Sequence, residues 1–110
     1  MSAPSFLAFY GIRLEVRQHE IEALEERSDA RLVAARKYGL KHYWGNFGVP
    51  GERWLLFVGA NIGIFGVENQ SEAQFESEAL QRLFIETESK LRQAGFDETP
   101  KLYLQWQPEV

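Results

Sequence analysis

The chain reads as an α+β domain of ferredoxin-like, split βαβ type, ordered β-α-β-β-(β)-α-β, with an antiparallel sheet and two helices packed on one face. Three observations predict it. Residues 6–17 alternate in polarity with the two-residue period of a strand. Two stretches, 19–38 and 77–94, carry helical composition and spacing. Between and after them lie short apolar runs at 41–48, 53–58, 62–67 and 101–107, separated by turn residues.

In "FLAFYGIRLEVR", Phe6, Ala8, Tyr10, Ile12, Leu14 and Val16 share one face, expected to meet the core. Leu7, Phe9, Gly11, Arg13, Glu15 and Arg17 share the other. In 19–38, Ile21, Leu24, Leu32, Ala35 and Tyr38 form an apolar stripe. "RSDAR" interrupts it and offers a second N-cap at Ser28 or Asp29. Gly39 supplies a left-handed stop behind Arg36 and Lys37.

A meander of three strands follows: 41–48, then a loop at 48–52, then 53–58, then a turn at 59–61 and a short strand at 62–67. The second helix has Leu80, Leu83, Phe84, Thr87, Leu91 and Ala94 at offsets of three and four. Its start has two candidates, a capping box at 71–74 and a cap at Ser77. Gly95 ends it. The last strand, 101–107, places Leu102, Leu104 and Trp106 on one face and Tyr103, Gln105 and Gln107 on the other.

With 110 residues, the chain is read as one domain, 1–110. Its 45% apolar and 14% aromatic content argues against disorder. The absence of cysteine excludes disulfides, thiolate metal sites and cysteine nucleophiles, and fits a reducing cytoplasm. No apolar run approaches the ~20 residues of a membrane span, and the start reads as a strand rather than a signal peptide. Net charge is −4, with residues 1–55 at +1 and 56–110 at −5.

That balance does not suit nucleic acid, and no aromatic-rich basic strand motif appears. "GANIGIFG" lacks both the spacing and the Lys-Ser/Thr of a phosphate loop. No metal and no cofactor is expected. His19 and His42 fall on separate elements without a ligand pattern.

Candidate function therefore rests on surfaces. On the sheet face away from the helices the reading places Arg13, Tyr103 and Gln105. From "HYWGNFG" it adds His42, Trp44 and Asn46, because the alternate set Tyr43, Gly45 and Phe47 is more apolar and suits the core. The run Glu68, Glu72, Glu76 and Glu78 forms an acidic rim suited to a basic protein partner.

The leading expectation is a non-enzymatic protein-binding module of inhibitor, immunity or adaptor type, homodimeric, with no catalytic residues. The alternative is a small-molecule-binding protein or cofactor-free enzyme around His42, Trp44 and Asn46, with His42 as base. Trp54→Ala and Trp106→Ala should each cost roughly 3–5 kcal/mol if buried, and Trp44→Ala much less.

Overall fold

The computed structural model describes residues 3–48 and 51–108. Four strands form one antiparallel sheet: β1 (Ser5–Glu15), β2 (Lys41–Asn46), β3 (Trp54–Gly66) and β4 (Lys101–Gln107), in the order β2-β3-β1-β4. Three α-helices accompany it: α1 (Ile21–Glu25), α2 (Ala30–Lys37) and α3 (Ser77–Gln93). A 3-10 turn, Gln18–Glu20, leads into α1. Val49 and Pro50 of the expected 48–52 loop lie outside the described residues.

The expected single helix over 19–38 is divided where "RSDAR" falls. Asp29 caps α2 through its carboxylate, which accepts from the Arg31 N–H at 2.8 Å. The Arg31 guanidinium grips the same carboxylate at 3.0 and 2.9 Å and reaches Glu20 at 3.1 Å. This pairing holds the Asp29 carboxyl below its usual range. Gly39 and Gly95 end α2 and α3 at φ +72° and +90°, as their positions predict. The segment 71–74 is not helical, and α3 starts at Ser77.

The expected turn at 59–61 and separate strand at 62–67 are replaced by one continuous thirteen-residue β3. Gly59 does not reverse the chain. It sits opposite Gly11 of β1, with φ of +151° against +153°. The backbones approach so closely there that a Cβ on Gly11 would lie 2.1 Å from the Val58 carbonyl oxygen. A further irregularity follows, where Phe9 pairs with Asn61 and Ala8 with Gly63, leaving Ile62 as a bulge. Paired glycines and a bulge bend a sheet where bulkier residues would keep it straighter.

The bend gives the sheet two cores. On the helix side, Ile12, Val16, Leu56 and Val58 meet Leu24, Leu32, Ala35, Leu40 and Leu91. On the other side, Leu7, Phe9, Phe47, Leu55 and Phe57 form a second cluster, with Tyr43, Ile64 and Tyr103 packed around it. Phe9 and Phe57 are fully buried without any helix over them. The sheet covers them by folding back on itself.

Candidate functional site

The folded-back face shows how the two sheet edges meet. Tyr43 on β2 pairs with Phe57, itself opposite Arg13, while Gln107 on β4 pairs with Ser5. On a flat sheet these positions would be eight residues apart along the strands, ~27 Å at 3.4 Å each, and three strand spacings apart. In the folded protein the Tyr43 hydroxyl donates to Gln107 Oε1 at 2.6 Å. Arg13 likewise donates to Gln105 Oε1 at 2.9 Å and lies 4.8 Å from the centre of the Tyr103 ring.

Arg13, Tyr103 and Gln105 are thus brought together as expected, but as the lid of a core. Their mutual contacts already use the guanidinium and the amide oxygen.

His42, Trp44 and Asn46 lie on the opposite face from the one expected. Trp44 packs against the helix-side core, 5.9 Å from Trp54 between ring centres. The more apolar set, Tyr43 and Phe47, does face a core, but the second one. A strand in a flat, one-sided sheet meets a single core, whereas this doubled-over sheet has two. Asn46 Oδ1 accepts from the N–H groups of Gly48 (3.1 Å) and Arg53 (2.9 Å), tying down the start of the loop between β2 and β3.

His42 lines a shallow cavity of about 630 Å³ with Lys41, Asn61, Asn69 and Gln70, where β3 runs on past β2 beside the bulge. His42 is exposed, yet partial desolvation of the ring, followed by the positive charges of Arg27 and Arg36, holds its pKa below the ordinary 6.5. Among the described residues, no hydrogen bond orients its imidazole as a base would require.

Glu68, Glu72, Glu76 and Glu78 are all exposed, and none takes part in an ion pair among the described residues. Arg31 is occupied by Asp29 and Glu20, and Arg53 by Glu15. Arg36 donates to the Arg27 carbonyl. The basic residues therefore leave the acidic rim unneutralised.

An apolar surface that sequence reasoning missed adjoins this rim. Leu102, Leu104 and Trp106, expected in the core, are 51%, 71% and 45% exposed. Phe6 is 48% exposed, and its ring centre lies 4.8 Å from that of Trp106. The cause is helix placement. α2 lies mainly against β2 and α3 mainly against β1 and β3, which leaves the helix-side face of β4 largely open. Phe6, Phe65, Val67 and Trp106 line an apolar depression of about 450 Å³ that opens onto Gln70 and Ser71. Alternation in 101–107 signals a strand, but not whether a helix is wide enough to cover it.

No family model, no curated protein and no solved structure matches the chain.

Proposed function

We propose that the chain is a non-enzymatic protein-binding module of the inhibitor, immunity or adaptor type, docking a basic protein against the acidic stretch 68–78 and the apolar side chains beside it. One observation carries this reading: an unpaired acidic rim borders an exposed apolar depression built from Phe6, Phe65, Val67 and Trp106. Charge steers the encounter, and buried aromatic anchors supply affinity. A ferredoxin-like topology is supported by the strand order and by the helical segments between first and second and between third and fourth strands. RNA is disfavoured as the partner, because Phe9 and Phe57 are buried in the fold of the sheet and cannot stack on bases. The cysteine-free composition supports a cytoplasmic setting.

The test is a photo-crosslinking amino acid at Val67, which is 92% exposed, introduced in living source cells. The expected result is a discrete adduct with a basic protein, lost in Glu72→Lys and in Trp106→Ser. Failure to form one, or adducts indifferent to both substitutions, would overturn the reading.

A second reading, a small-molecule-binding protein or cofactor-free enzyme around His42, is favoured by one observation. His42 lines the 630 Å³ cavity with the side-chain amides of Asn61, Asn69 and Gln70 nearby. Trp44 and Asn46 are not part of that lining. NMR observation of the His42 ring during a screen of small polar metabolites decides it: a saturable shift supports the site, and a silent ring removes it.

A further inference from the structure

We infer that the free edge of β4 is an interface for a second copy of this chain, the two β4 strands pairing antiparallel about Leu104. This goes beyond the proposed docking of a basic protein: the edge shares Phe6, Trp106 and Glu68 with that surface and adds Leu102 and Leu104.

The first support is the order of residues along the strand. β4 ends the sheet, and among the described residues it pairs only with β1. Its sequence, KLYLQWQ, is self-complementary when Leu104 faces its own twin. Leu102 then lies opposite Trp106, Tyr103 opposite Gln105, and Lys101 opposite Gln107. Every apolar side chain meets an apolar one on the helix-side face, and no like charges meet. Pro100 and Pro108 bracket the seven residues and limit the ladder to them. Between these prolines the edge carries none of the usual protections, such as a central lysine, a bulge or a covering loop.

The second support is area. Phe6, Leu102, Leu104 and Trp106 are about half or more exposed, and Ile85 on α3 is 64% exposed. Phe84 stacks on Tyr10 of β1, which pairs with Leu102 of β4, and Glu88 accepts from the Tyr10 hydroxyl. Leu83, Glu86 and Lys90 line a cavity with Lys41 on the β2 side. Ile85, one residue past Phe84, is on the flank of α3 away from Leu83. Phe6, Leu102, Leu104 and Trp106 together expose roughly 400 Å², within the ~300–600 Å² that monomers carry as a largest patch. A backbone ladder added to this approaches the ~800 Å² per partner of a standard interface.

The third support is charge. Glu68 lines a cavity with Gln107 and Pro108. In the antiparallel pairing, Lys101 of the second copy arrives opposite Gln107 and so beside this carboxylate. Each two-fold-related end gains one such pair.

Light scattering on the full chain across a dilution series tests the inference. The expected mass is twice the 12.7 kDa of one chain, falling to one on dilution. Leu104→Glu should shift dissociation to at least tenfold higher concentration while leaving the circular dichroism and melting of the fold intact, since Leu104 contributes little to either core. Lys101→Glu should weaken the dimer, and adding Glu68→Lys should restore it. A single-chain mass throughout, or a doubled mass unaltered in Leu104→Glu, would overturn the interface. Indifference to Lys101→Glu would overturn the pairing register and with it the inference. Leu104 lies outside the depression at Val67, so Leu104→Glu separates the two readings: it should abolish the doubled mass and leave the basic-protein adduct at Val67 unchanged.

Discussion

The Tyr43 hydroxyl donates to Gln107 Oε1 at 2.6 Å, joining the two outer strands of a four-stranded sheet across its own face. That contact exists because β1 and β3 bend near Gly11 and Gly59, and it closes the lid over Phe9, Phe47 and Phe57. Tyr43→Phe should keep the ring in place and remove only the bond. A loss of about 1 kcal/mol is expected in urea unfolding, with an unchanged denaturant slope. Phe57→Ala should cost about 3–5 kcal/mol, because it empties the centre of the second core.

The glycine pair is the least replaceable feature. A Cβ on Gly59 would stand 2.2 Å from the Tyr10 carbonyl oxygen and 2.8 Å from Gly11 Cα, both backbone atoms that cannot turn aside. Its φ of +151° adds strain for any L side chain. Gly11→Ala or Gly59→Ala should destabilise by more than ~3 kcal/mol, measured by denaturation or, if folding fails, by loss of soluble product. Gly51→Ala, with open space around its Cβ position, should cost only about 1 kcal/mol for its φ of +88°.

Trp44 and Trp106 should exchange the places that sequence alone gives them, while Trp54 keeps its own. Trp44 and Trp54 pack together against the helix-side core, while Trp106 remains 45% exposed. Trp44→Ala should cost about 2–3 kcal/mol, and Trp106→Ala under ~1.5 kcal/mol at concentrations where the chain is monomeric. A double-mutant cycle between Trp44 and Trp54 should return a coupling of about 0.5–1.5 kcal/mol.

Besides Asp29 at the acid end, two groups make the stability depend on pH. The folded protein favours neutral His42, through partial desolvation and the charges of Arg27 and Arg36. Below 6.5 the unfolded chain therefore binds the extra proton more readily, and stability should fall as pH drops from about 7 to 5. His42→Asn should flatten that segment of the curve. Tyr10 behaves oppositely at the alkaline end. Burial, then its 2.6 Å bond to Glu88 and that carboxylate's charge, pushes its pKa up to about 12. The folded state holds this proton longer than the unfolded chain, so stability declines as pH rises from about 10 through 12, and Tyr10→Phe removes the decline.

Local patterning determined where the strands and helices lie. Alternation marked 6–17 and 101–107, the capping carboxylate of Asp29 divided the first helical stretch, and Gly39 and Gly95 ended helices where left-handed residues were needed. The acidic run was also legible, because charge is carried by composition. Only the tertiary structure decided which faces are covered. Alternation assigns side chains to two faces but is silent on what lies over each. Here the bend at Gly11 and Gly59 supplied a core on the face expected to be exposed, and the narrow reach of α2 and α3 exposed the face of β4 expected to be buried. "HYWGNFG" is therefore a strand with a core on each side. The exposed apolar side chains lie at the opposite edge of the sheet, because exposure depends on how far the helices extend and where the sheet folds, and neither is a property of any one segment.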